Sequence, residues 1–206
     1  MNFYFKVSIM FFCFSIIFFN VSIAAKSRDK LFNKRSKADF YAQESDRDIK
    51  KVAVMPFKGP TDLVGFAFSD MMVTQLLKTR RFLIVERGQI ERVIKEKDLS
   101  SSGFVSSYDA VEIGKIIGAD GVIVGSVSDY AFEGSEKKQY PVAAFSVRLI
   151  DTKTGKIVWS IDHALKSKKK NMALAKHGRV VVHDAVSTLY FYWKKQGLIP
   201  ENKKKK

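Results

Sequence analysis

Apolar residues fall along this chain in blocks that switch between two periods. Val52 to Phe57 is a short apolar run closed by Lys58, Gly59 and Pro60, the pattern of a buried strand ending in a turn. Val64, Phe68, Met71, Met72 and Gln75 then recur at helical spacing, with Asp62 placed to cap that helix and the two methionines reading as core filler. Phe82 to Val85 predicts a second strand, and Gln89 to Lys97 a short charged helix that turns Ile90, Val93 and Ile94 inward. Ser100 to Ser107 reads as a loop, Asp109 to Ile117 as a helix stopped by Gly118, and Gly121 to Val127 as a third strand. Val142 to Ile150 and Lys156 to Ile161 predict two more strands, joined by DTKTG, whose Gly155 can take the positive φ that closes a hairpin. A long final helix places Val182, Val186, Leu189, Tyr190 and Trp193 on one face and ends at Gly197 and Pro200.

The resulting order is strand, helix, strand, helix, helix, strand, strand, strand, helix. It predicts an α/β fold in a single domain: a mixed sheet of about five strands with helices packed on it, a C-terminal edge hairpin, and a long helix after that. The domain spans 51–197, followed by a basic tail at 198–206.

Ahead of the domain, Lys6 is followed by the apolar stretch Val7 to Phe19 and then by VSIAA, with Ser22 and Ala24 in small positions before a cut. This is the layout of a secretory signal peptide over 1–24 and predicts a mature chain starting near Ala25. Retention as an anchor is the other reading, although the uninterrupted run falls short of the ~20 residues that span a bilayer. Cys13 lies inside the apolar run, so cleavage leaves a chain with no thiol and no disulfide. Residues 25–50 mix charges without a sustained period and read as a flexible leader.

Charge changes the picture once it is located. The formal net charge is +15, and three segments carry nearly all of it. Segment 26–50 holds eight basic and five acidic residues, 166–176 holds five lysines and no acid, and 194–206 holds six lysines and one acid. The rest of the domain is close to neutral. The segments either keep the protein in solution or attach it to an anionic surface, phospholipid or lipopolysaccharide. Candidate contacts are Lys166, Lys168, Lys169 and Lys170 in the loop and Lys203, Lys204, Lys205 and Lys206 in the tail. A nucleic-acid partner is not expected, because no aromatic and basic stripe or recognition motif accompanies the charge.

Candidate chemistry is sparse. Glycines 114, 118, 121 and 125 follow a predicted helix and precede a strand, the reverse of the strand, glycine loop and helix that cradle a phosphate. His163, His177 and His183 come without HExxH, CxxC or a carboxylate-rich loop, and no GxSxG marks a nucleophile. The sequence therefore predicts no catalytic residue, no metal and no cofactor. Glu86 and Arg87, just after the second strand, read as a turn and salt bridge that orient the next helix.

Three segments in fixed order, RFLIVERGQIERVIKE, IGKIIGADGVIVGSV and RLIDTKTGKIVWS, carry a family resemblance over roughly 51–163. The chain resembles the curli production assembly/transport component (CsgG-type) family in its soluble periplasmic branch. It is also similar to flagellar outer-membrane accessory proteins and to lipoprotein activators of penicillin-binding proteins. The resemblance implies a non-enzymatic protein of the periplasm or outer membrane, with other envelope proteins as partners and homo-oligomerisation in view. It implies a structural or assembly and secretion accessory; the alternative is a regulatory module that activates a peptidoglycan synthase. Pore-forming members are lipid-anchored rings whose subunits add a constriction loop and two membrane hairpins. This chain has only KGPTDL after Phe57, while DYAFEGSEKKQYP and KSKKKNMALAK are too short and too charged for lipid-facing strands of roughly 9–11 residues. A curli-type pore is not expected from this polypeptide alone.

Overall fold

The order of strands and helices read from periodicity is the order the chain adopts, with one strand added at its start. The computed structural model describes residues 31–32, 38–43, 47–97 and 106–199. The elements are β1 (Asp39–Ala42), β2 (Lys51–Val54), α1 (Asp62–Thr79), β3 (Leu83–Ile84), α2 (Arg87–Glu96), α3 (Ser107–Ile116), β4 (Gly121–Ser135), β5 (Lys138–Asp151), β6 (Ile157–Lys166) and α4 (Leu174–Lys195). Six strands form one mixed sheet in the order β1-β6-β5-β4-β2-β3. β2 runs parallel to β3 and β4, and the remaining pairs are antiparallel.

Helices α1 and α4 cover one sheet face. Phe68, Met72, Leu76, Phe145, Trp159, Leu189 and Trp193 are buried between them and the strands. All five residues predicted for the inner face of α4 are buried, and each large side chain so removed from water contributes roughly 1.5–3 kcal/mol. On the opposite face α2 and α3 enclose a smaller core of Ala53, Met55, Ile90, Ile113, Val122 and Ile150. Exposed residues of β5, β6 and β1 on that side include Arg148, Asp162, Ala164 and Tyr41.

Five expectations need correction. Segment 25–50 is not simply a leader. Asp39–Ala42 pairs with β6, Phe40 and Ala42 pack against the core, and Ile49 and Phe32 are buried, with the Phe32 ring stacked 4.0 Å from Tyr190. An unpaired β6 would leave a row of backbone groups without partners, so β1 takes the sheet edge and the β5–β6 hairpin lies one strand in. This also makes six strands where about five were expected. Helix α1 is capped by Thr61, whose extended backbone lets Oγ1 accept the Val64 N–H at 3.3 Å; Asp62 is the first helical residue. The third predicted strand continues well past Val127, since β4 runs to Ser135 and β5 begins at Lys138.

The glycine run serves packing and turning. Gly118 ends α3 with φ 64, and a Cβ at Gly114 would lie 2.5 Å from Val122, so a bare backbone is what lets α3 approach β4. The DTKTG turn forms as expected, with Gly155 at φ 70 and the Asp151 carboxylate accepting the Lys153 N–H at 2.7 Å. Glu86 caps α2 by accepting the Gly88 N–H at 2.6 Å, and Arg87 reaches Asp70 on α1 at 2.8 Å and Glu91 at 2.7 Å. That pair orients α2, the role expected for it.

Ion pairs gather where the chain enters the sheet. Arg47 meets Asp151 at 2.6 Å and Asp120 at 3.6 Å, while Arg81 meets Asp48 at 2.9 Å. Asp120 also accepts the backbone N–H groups of Lys51 at 2.8 Å and Lys50 at 3.1 Å. The Lys51 amide, helped by the Lys50 amide and the Arg47 charge, holds its carboxyl below the ordinary range despite some desolvation.

Candidate functional site

The candidate site is the opposite end of the sheet, where the β4–β5 hairpin outruns its neighbours. β6 stops at Lys166, opposite Val142. The hairpin continues through the pairs Phe132↔Pro141, Glu133↔Tyr140, Gly134↔Gln139 and Ser135↔Lys138. Its two-residue turn is Glu136 and Lys137. Gly134 sits at φ 121, and a Cβ there would lie 2.2 Å from the Lys138 carbonyl oxygen, so the tip needs a glycine at that position.

The basic loop after β6 is docked on this hairpin. Its backbone extends the pairing beyond the last strand residue: the Ser167 N–H donates to Pro141 O at 2.9 Å and the Asn171 N–H to Gln139 O at 2.8 Å. Asn171 takes φ 55, a left-handed conformation that asparagine tolerates. Ser167 accepts the Lys169 N–H at 3.0 Å, and its own hydroxyl donates to the Lys169 carbonyl, tightening the turn. Loop and hairpin thus form one ordered end of the molecule.

Of the residues expected to contact an anionic surface, Lys166 is already engaged. Its Nζ meets Glu133 at 2.7 Å and stands 5.8 Å from the Tyr140 ring centroid. Lys168, Lys169 and Lys170 are exposed, and none of their side chains enters an ion pair among the described residues. Lys203 to Lys206 lie outside the described residues. The described chain approaches them through α4, a helix of 22 residues that rises roughly 33 Å at 1.5 Å per residue.

Sequence reasoning missed two members of this end, Lys137 and Lys138 at the hairpin tip, both exposed. The signal was there: GSEKK between Tyr130-Ala131-Phe132 and Tyr140-Pro141-Val142 sets turn formers between strand formers. Lys176 and Arg179, exposed on the first turns of α4, add to the same end. Beside them Phe132 is 44% exposed, whereas Tyr130, two residues earlier, packs edge-on against Phe68 at 5.3 Å.

Two of the three histidines are held in structural contacts, while His163 is buried with its Nε2 lacking a hydrogen-bond partner among the described residues. His177 Nε2 lies 2.7 Å from Leu165 O, joining α4 to β6, and His183 Nδ1 lies 3.2 Å from Gln75 Oε1, joining α4 to α1. Burial lowers the pKa of His163 and of His183, against the raising effect of Asp184. Among the described residues no group of three or more His, Cys, Asp or Glu could hold a metal ion, and no helix is long and apolar enough to cross a membrane.

Comparison with known proteins fits this architecture. No curated protein matches the chain. Among solved structures it is similar to the PelC dodecamer from Paraburkholderia phytofirmans, with TM-score 0.55 and 16% identity over 75% of this chain and 96% of that one. It is also similar to lipoprotein GNA1162 from Neisseria meningitidis, with TM-score 0.49 and 17% identity over 71% and 99% of the two chains. The LpoB C-terminal domain from Escherichia coli gives TM-score 0.44 and 18% identity over 60% and 88%. The family model for curli production assembly/transport component CsgG matches residues 47–185, beginning at the arginine that ties the first strands to the sheet. The chain therefore belongs to the CsgG family.

Proposed function

We propose that this protein is a non-enzymatic accessory of the bacterial cell envelope, which works as a homo-oligomer in the periplasm or at the outer membrane in assembly or secretion. The observation that carries this reading is the family match over 47–185, on a fold that spans nearly all of a chain crystallised as a dodecamer. Two features support it. Exposed Arg148, Asp162, Ala164 and Tyr41 give one sheet face a surface of mixed charge with an exposed aromatic on which a neighbouring subunit can lie. His177 and His183 tie α4 to β6 and to α1, and Gly114, Gly118 and Gly155 serve close packing and turns.

Native mass spectrometry of the mature chain tests the oligomer, with one closed ring size expected at micromolar concentration. A monomer under those conditions overturns the assembly reading. Crosslinking in intact cells then separates partners. Neighbouring copies and secretion components are expected, whereas exclusive capture of a peptidoglycan synthase would favour the regulatory role.

A further inference from the structure

We propose that the β4–β5 hairpin and the loop after β6 form one preassembled site that docks on anionic lipid headgroups. Lys137 and Lys138 of the hairpin act with Lys168, Lys169 and Lys170 of the loop, and Phe132 enters the headgroup layer. The inference rests on the reading that the protein works beside a membrane.

Charge complementarity identifies the occupant. This end gathers Lys137, Lys138, Lys166, Lys168, Lys169, Lys170, Lys176 and Arg179, with Glu133 and Glu136 the acids of the hairpin tip. Residues 131–139 and 168–171 are all exposed, so the hairpin and loop lysines face solvent. The two backbone bonds from Ser167 and Asn171 join the loop lysines to the hairpin lysines before any surface is met. Little conformational entropy is then lost on docking, which distinguishes this end from a solvated run of lysines on a free tail. Phe132, 44% exposed at the edge of the same cluster, supplies the apolar contact that a purely solubilising patch does not need. A bilayer of phosphate-bearing lipids offers what this end can meet: a plane of negative charge over an apolar layer.

Each lysine held near such a surface raises partitioning by about five-fold at moderate ionic strength, and salt screens the gain. The test uses the full mature chain and sedimentation with vesicles of phosphatidylglycerol in phosphatidylcholine. Replacing Lys168, Lys169 and Lys170 by Gln should weaken binding at least ten-fold, and adding Lys137→Gln and Lys138→Gln should weaken it again by about the same factor. Phe132→Ser should cost about five-fold and leave the salt dependence unchanged. Deleting Lys203 to Lys206 should matter much less. Unaltered unfolding midpoints show that these variants are folded.

Wild-type binding equal on neutral and anionic vesicles overturns the proposal. So does a five-lysine variant that still binds, or loss of binding on tail deletion alone. Abolition by inorganic phosphate at an ionic strength that sodium chloride tolerates would reassign the lysines to free phosphate. These outcomes do not depend on ring size, so the docking site can fail while the assembly reading stands, and the reverse.

Discussion

At the end where β1 leaves the sheet and β2 enters it, the cations are held by acids. Arg47 lies between Asp120 and Asp151, Arg81 meets Asp48, and the Lys50 and Lys51 amides converge on the Asp120 carboxylate. At the hairpin end, Lys166–Glu133 is the only ion pair among the described residues, and Lys137, Lys138 and Lys168–Lys170 face solvent. The first arrangement joins segments distant in sequence, since Arg47 and Asp151 are 104 residues apart, so its charges contribute to stability. The second holds little together through its charges, because exposed ammonium groups add almost nothing to a fold. What it provides is a field directed outward. Within one domain, then, charge that is paired and part-buried builds the structure, and charge left unpaired on an ordered scaffold is available for a partner.

The largest effect that can break this comparison is the loss of Asp151. Its carboxylate is buried, pairs with Arg47 and accepts the Lys153 N–H of the β5–β6 turn. Asp151→Ala should cost about 2–4 kcal/mol, discounted from the fully buried case because Arg47 keeps partial access to water. Urea denaturation measures it, and a cost below 0.5 kcal/mol would remove the structural role given to this end. By contrast, the triple substitution Lys168→Gln, Lys169→Gln and Lys170→Gln should move stability by less than about 0.5 kcal/mol.

Next in size is Asp120. Its folded pKa lies below the ordinary value of 3.8, so its contribution is fully present above that pH and is lost as pH falls through the folded value. Asp120→Asn should therefore lower stability by about 1 kcal/mol at neutral pH and make the acid limb of the stability curve shallower. An unchanged acid limb would show that another carboxylate carries it. His163 acts in the same sense at higher pH. Burial lowers its pKa from 6.5, so the neutral form is favoured and stability falls as pH drops from about 6.5 through the folded value. His163→Gln should flatten that part of the curve.

The smallest effect sharpens the comparison from the other end. Glu133→Gln releases Lys166 and removes an acid there, an exposed pair worth at most about 1 kcal/mol to stability. Thermal unfolding should scarcely change, while binding to anionic vesicles should rise about five-fold. A fall in binding would mean that Lys166 has to be held by Glu133 to work. Export provides a separate check, in which mass spectrometry of the native protein should find a chain beginning near Ala25 and lacking Cys13.

Most elements and their inner faces are legible in the chain alone. Periodicity is local, so α4 could be read from Val182, Val186, Leu189, Tyr190 and Trp193, and the β5–β6 turn from DTKTG and its Gly155. Even the structural roles of Glu86 and Arg87 were legible, because capping and an i,i+4 pair need only near neighbours. Tertiary structure decided whatever depends on distant pairing. β1 is four residues of alternating pattern inside a charged segment, and it becomes a strand because β6 offers an unpaired edge. The candidate site was legible by half. Loop lysines stand out as a run in one dimension, but their union with Lys137 and Lys138 is made by backbone bonds from Ser167 and Asn171 to β5. A count of charges along a chain carries no distances, and only the folded sheet shows which lysines share a surface.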